Sequence, residues 1–256
     1  MSPADGPTAD TLRPQVVAVG LAVALWAAAA PAPPAGADNL PSSKPPDAGG
    51  HARPLADVLT PAALRDKLKA KATFDPKSGE LTLTYDFATA DQLQDFTPDT
   101  GKPKHVNRTL VLEPGVKLTH VVQFKTLTLT AVLGAPPRKG VFLSSPGVTA
   151  SIGGSTAHTL YLEIAGEKKL SAVMPKDQQK GATRIGLAAG DGLVTLTFGS
   201  QKLGKSASVK VGRVAFHGGE QGYTFGTVVL AGKVDPSWAN DFFAPRRSGT
   251  SPPRHP

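Results

Sequence analysis

The sequence predicts an all-β protein, an antiparallel β-sandwich, and three observations carry that prediction. Apolar and polar residues alternate with period two in segment after segment between Leu68 and Val234. Leu81, Leu83, Tyr85 and Phe87 alternate with Thr82, Thr84 and Asp86; Leu127, Leu129, Ala131 and Leu133 alternate with Thr126, Thr128 and Thr130. Gly, Pro, Asn, Asp or Ser punctuates the series about every ten residues, a rhythm of sandwiches and barrels rather than of βαβ units. No helical stretch between the strands is long enough to cover a parallel sheet.

The first strand is expected over 68–74, where Leu68, Ala70, Ala72 and Phe74 alternate with Lys69, Lys71 and Thr73. Ala, Leu, Lys and Arg dominate the residues before it and favour one helical turn around Ala63 to Asp66. Asp75-Pro76-Lys77-Ser78-Gly79 supplies a turn, with Pro fixing φ early and Gly free to take φ > 0, and 81–87 completes a hairpin. Ala90 to Phe96 is the other helical turn. Strands follow near 109–112, 117–124, 126–133, 140–144, 148–152, 159–165, 169–174, 183–188, 193–198, 209–216 and 225–234.

The flanks differ in composition. Arg13 precedes an apolar run from Val16 to Ala30, prolines follow, and Ala35-Gly36-Ala37 has the small-x-small form of a signal-peptidase site, so 1–37 reads as a signal peptide. Asp5 and Asp10 are unusual ahead of such a run, and an uncleaved N-terminal anchor is the alternative. Residues 38–62, rich in Pro, Ala, Ser and Asp, read as a disordered spacer, 63–244 as the sandwich domain, and 245–256, with Arg246, Arg247 and Arg254, as a disordered basic tail. The protein is then exported to a periplasm, cell envelope or extracellular space, with no membrane span left after cleavage.

The chain has 28 Lys and Arg against 20 Asp and Glu, a net charge of +8 that favours anionic surfaces. Aromatics are not interleaved with the lysines, so nucleic acid is not expected as a partner. The absence of cysteine excludes disulfides, thiolate metal sites and Cys nucleophiles.

The strand Gly79 to Phe87 followed by Leu93 and Asp95-Phe96 resembles the opening of concanavalin A-like jelly rolls. So do Arg213-Val214-Ala215-Phe216, then Phe225-Gly226-Thr227-Val228-Val229, then Gly232-Lys233-Val234-Asp235 at the end. The nearest flavour is the laminin-G-like and 3-keto-disaccharide hydrolase-type domains of exported bacterial proteins. The resemblance covers about 65–243. It implies two packed antiparallel sheets in a jelly roll and carbohydrate contact on a concave face.

Chemistry is sparse. A retaining glycosidase needs two carboxylates about 5 Å apart, yet Glu163 and Asp86 each stand alone on their strands. His217-Gly218-Gly219-Glu220-Gln221-Gly222 offers His217 and Glu220 as an acid–base pair, although three glycines more simply mark a turn. Histidines show no metal-ligand spacing, and His120, in phase with Leu118, Val122 and Phe124, reads as a satisfied core residue. Asp191-Gly192 reads as a hairpin turn rather than a calcium loop. Sugars stack on exposed aromatics: Tyr161 is out of phase with Leu160, Leu162 and Ile164 and falls beside Glu163, and Trp238 is either a plug at the sandwich edge or a sugar platform. The carbohydrate-contact candidates are Tyr161, Glu163, His217, Glu220 and Trp238. No metal or cofactor is expected and no catalytic residue is assigned. The leading reading is a non-catalytic, exported sandwich that binds carbohydrate or an anionic envelope polymer, or serves structurally there; the alternative is a hydrolase acting on sugar derivatives.

Overall fold

The computed structural model describes residues 52–134, 139–153, 158–165 and 169–244. The expected signal (1–37), the spacer up to residue 51 and the tail (245–256) lie outside them.

Two short helices come first, α1 (Leu55–Val58) and α2 (Pro61–Lys67). The strands β1 (Lys71–Asp75) and β2 (Glu80–Tyr85) form the expected hairpin, and a 3-10 helix spans Ala90–Asp95. Next come β3 (Phe96–Thr100), β4 (Lys104–Val106), β5 (Thr109–Leu112), β6 (Lys117–His120), β7 (Leu127–Leu133) and β8 (Gly140–Ser145). They are followed by β9 (Val148–Gly153), β10 (Thr159–Ile164), β11 (Leu170–Val173), β12 (Thr183–Gly190), β13 (Leu193–Phe198) and β14 (Gln201–Ser206). The chain closes with β15 (Ala215–His217), β16 (Tyr223–Lys233) and α3 (Pro236–Phe242).

These strands make the antiparallel β-sandwich that the alternation predicts. One sheet runs β1-β2-β16-β7-β12-β13-β14, with β5 paired to β16 and β4 to β5; the other runs β11-β10-β9-β8-β15-β6-β3. The register explains the core. Ala72, Leu83, Leu230, Leu129, Leu187, Leu196 and Leu203 line up across the nine-stranded sheet. Leu118, Phe216, Leu143, Ala150, Leu162 and Leu170 do the same across the seven-stranded one. Full burial of each such leucine stabilises by about 1.5–3 kcal/mol relative to exposure, and a one-residue slip of any strand would turn its whole row to water.

Turn chemistry follows the sequence. Asp75 Oδ1 accepts from Lys77 N and Asp75 Oδ2 from the Ser78 hydroxyl, which closes the first hairpin and lowers the Asp75 pKa, the Ser78 bond contributing most. Asp191 and Gly192, both at positive φ, form the two-residue turn between β12 and β13.

The boundaries need several corrections. Val58 and Leu59 are buried in the core, so ordered structure begins within the expected 38–62 spacer rather than at residue 63. Leu68, expected to open a strand, instead ends α2 and packs inward, because Thr60 caps the helix at the Ala63 amide and Pro61 fits its first turn. Over 209–216 only Ala215 onward is strand; Gly212, at positive φ, makes a single bridge to Phe124, and β6 correspondingly stops at His120. The alternation pattern of the sequence does not mark strands β3, β4 and β14 or helices α1 and α3. Arg53 N donates to Asn240 Oδ1 and Asn240 Nδ2 donates back to Arg53 O, so the chain before α1 is tied to α3.

Candidate functional site

The outward face of the nine-stranded sheet holds its carboxylates, Asp75 and Glu80, at one end, opposite Lys233. On the nine-stranded sheet one row reads Thr73, Thr82, Ala231, Thr128, Ala188, Thr195, Gly204, and the next Lys71, Thr84, Val229, Thr130, Gly186, Thr197, Lys202. Neither row carries a carboxylate or a histidine.

The outward face of the seven-stranded sheet carries both. Tyr161 and Glu163 stand opposite Ser151 and Thr149 of β9, and Thr149 stands opposite Ser144 of β8. Ser144 in turn lies opposite Ala215, His217 opposite Lys117, and Thr119 opposite Thr97. Tyr161, Glu163 and His217, read separately from the sequence, therefore share one face. With β9 and β8 between them, β10 and β15 are three strand spacings apart, about 14 Å.

At the centre of the face, Ser144 Oγ lies 2.7 Å from His217 Nε2. Lys117 Nζ sits 2.9 Å from Asp99 Oδ2, which also accepts from the Thr119 hydroxyl at 2.8 Å. The Lys117 bond holds Asp99 below the usual carboxylate range. Burial, with help from the Lys117 charge and against the pull of Asp99, brings His217 down to about 4. His217 is therefore neutral at pH 7 and can both donate and accept, a versatile partner for hydroxyl groups. The sequence offered a signal for this group, since Lys117 and Thr119 lie out of phase with Leu118 and His120; what it lacked was the strand order that brings Asp99 and Ser144 alongside.

Tyr161 is less open than its phase implies. Its ring lies over Gly153, where a Cβ would come within 2.9 Å of Cε2, and Lys169 Nζ sits 4.1 Å from the ring centroid. A sugar stacking there must displace a cation from the ring. Glu163 is exposed.

Glu220 does not pair with His217. It lies in the glycine turn, where its amide donates to the Lys139 carbonyl, and its charge joins burial in raising the Tyr223 pKa. The turn needs its glycines: a Cβ at Gly218 would collide with the Glu113 carbonyl. Trp238 lies off the sheet face altogether, in α3, buried and stacked on Phe242 with centroids 4.9 Å apart.

A second polar group lies inside the sandwich. Val122 N donates to His120 Nδ1, which places the ring proton of neutral His120 on Nε2. That nitrogen is 2.6 Å from Tyr85 Oη, which donates to Asp95 Oδ2 at 2.9 Å. Asp95 also accepts from the Lys69 and Ala70 amides. The chain of bonds joins β2 in one sheet to β6 in the other and to the link after α2. Burial pushes His120 down to about 3, Asp95 up despite its three donors, and Tyr85 well above its usual value. His120 is thus the satisfied core histidine expected of it. Among the described residues no group of three or more His, Asp or Glu is arranged to hold a metal ion.

No known protein family matches the chain, and no curated protein does. Solved structures similar to it include the endo-β-1,3-glucanase from Pyrococcus furiosus, 9% identical over 64% of this chain and 98% of that one, with a TM-score of 0.46. The Bacillus licheniformis β-glucanase is 8% identical over 59% and 98%, with a TM-score of 0.45. The VIP36 exoplasmic/lumenal domain, in a Ca2+/Man3GlcNAc-bound form, is 8% identical over 56% and 86%, with a TM-score of 0.44. At these identities and TM-scores nothing further follows from the similarity.

Proposed function

We propose that the outward face of the seven-stranded sheet binds a polysaccharide or an anionic envelope polymer, and that the protein is an exported, non-catalytic sandwich. The observation that carries this reading is the shared face itself. Tyr161, Glu163, Ser144, His217, Lys117 and Asp99 line up across β10 to β3, a band of hydroxyl, carboxylate, imidazole and ammonium groups suited to a chain of sugar hydroxyls. The carboxylates on these strands, Glu163 and Asp99, are five strand spacings apart, about 24 Å, against the roughly 5–9.5 Å that glycoside hydrolysis requires. Retention of the full chain on immobilised neutral and acidic polysaccharides tests the proposal. His217→Ala and Glu163→Gln should each reduce retention at least about tenfold, equivalent to about 1.4 kcal/mol. Absence of retention of the wild-type chain on every polymer at moderate salt would overturn it.

The Ser144–His217 contact favours the second reading, a hydrolase of sugar derivatives, because it has the separation of a nucleophile and its base. Labelling by a fluorophosphonate that disappears in Ser144→Ala, with turnover of acetylated sugars, would establish that reading and displace the first.

A further inference from the structure

At the end of the sandwich, α3 borders an open cleft of about 530 Å3, within the size range of small-molecule sites. Its wall includes Trp238 and Phe242, stacked at 4.9 Å with 23° between their planes. Trp238 is buried and also meets the edge of Phe243, whereas Phe242 is half-exposed. Phe242 is therefore the platform and Trp238 its backing, a rigid apolar surface of the sort that C–H faces of sugar rings cover.

The polar lining is equally specific. Arg213 is exposed, and among the described residues none ion-pairs with it; its charge is felt by buried His120. Asp235 is committed to the structure, with Oδ1 accepting from the Ser237 and Trp238 amides and Oδ2 at 3.5 Å from Gln123 Nε2. Asp241, on the exposed side of α3, lines the cleft as well. One guanidinium against two carboxylates gives no positive excess to draw an acidic ligand. What remains is a fork of donors at Arg213, acceptors at Asp241, and an amide at Gln123 beside an aromatic plate.

We propose that this cleft between Arg213 and α3 is a binding site for a neutral pyranose, one or two units long, with its apolar face on Phe242 and its hydroxyls on Arg213, Asp241 and Gln123. It is separate from the sheet face and does not depend on that reading.

The sequence has two tryptophans, Trp26 and Trp238, so the full chain carrying Trp26→Phe reports on this cleft through a single indole. Titration with methyl glucoside, maltose, N-acetylglucosamine or glucuronic acid should give a saturable change in Trp238 emission with a neutral sugar, at a Kd on the order of mM for so small a ligand. Arg213→Ala should weaken that affinity about tenfold or more while leaving the urea midpoint unchanged, as should Asp241→Asn. Phe242→Ala should abolish the response. His217→Ala should leave it intact, which separates this site from the sheet face. The proposal is overturned by no saturable change with any neutral sugar up to about 100 mM, an affinity of order 1 kcal/mol. Tighter binding of glucuronic acid than of the neutral sugars, or a response unaffected by Arg213→Ala, would equally overturn it.

Discussion

The sandwich contains two groupings of a histidine, a hydroxyl and an aspartate, and burial separates their roles. Around His120 every partner is interior: Tyr85 Oη and Asp95 complete a directed chain of bonds between the sheets, and the imidazole is fully buried. Around His217 the partners are Ser144, Lys117 and Asp99 on an open face, and the imidazole is half-exposed. Residue types alone would rank the two alike. The inner one has no room for a ligand and holds the sheets together, whereas the outer one spends little on stability and leaves polar atoms at the surface.

Acid should break the inner grouping first. The folded pKa of His120, about 3, lies below its ordinary 6.5. The unfolded chain therefore takes up the proton earlier as pH falls, and stability present above pH 6.5 is lost on the way down to about 3. At 1.36 kcal/mol per unit this amounts to about 5 kcal/mol at most. Asp95 runs the other way, since its raised folded pKa lets the native state accept a proton first, and it offsets part of the loss. Urea midpoints between pH 7 and pH 3 should show the decline, and His120→Gln should remove its larger part, leaving the smaller loss of the same sign that His217, with a folded pKa of about 4, contributes between pH 6.5 and 4.

Asp95→Ala comes next. It strands the Lys69 and Ala70 amides and the Tyr85 hydroxyl together, for a loss of about 3–4 kcal/mol by chemical denaturation; a loss under about 1 kcal/mol would show that the chain of bonds does not hold the sheets. Tyr85→Phe keeps the ring and removes the bridge, at about 1–3 kcal/mol. On the outer face, His217→Ala should cost less than about 1 kcal/mol while polysaccharide retention falls, which inverts the His120 result. Lys169→Ala should have the smallest effect, about 0.5 kcal/mol on stability, with retention on neutral polymers rising as the Tyr161 ring is uncovered.

Much of the fold was legible because the core rows are leucine and phenylalanine at strict alternation, as in β2, β7 and β13. The edges were not. β14, Gln201-Lys202-Leu203-Gly204-Lys205-Ser206, carries a single large apolar residue, Leu203, among polar ones, as an edge strand with one partner can. For α3 a readable signal existed, since Asp235-Pro236 is an N-cap followed by proline at the first helical position. Tyr161, Glu163 and His217 could be chosen from phase and polarity, and their common face is a consequence of strand order. Asp95 stayed hidden for a different reason: one residue before β3, it offers no alternation to mark it, and its partners lie 10 and 25 residues away.

The clasp between Arg53 and Asn240 has a mechanical consequence. The first and last described segments of the domain leave from neighbouring points, so tension between its flanking segments acts across that clasp. Pulled that way, α1 and α3 would peel apart one bond at a time, while the ladders of both sheets carry no load until the clasp has opened. A bead hung by both threads at one pole yields at the knot and keeps its body intact.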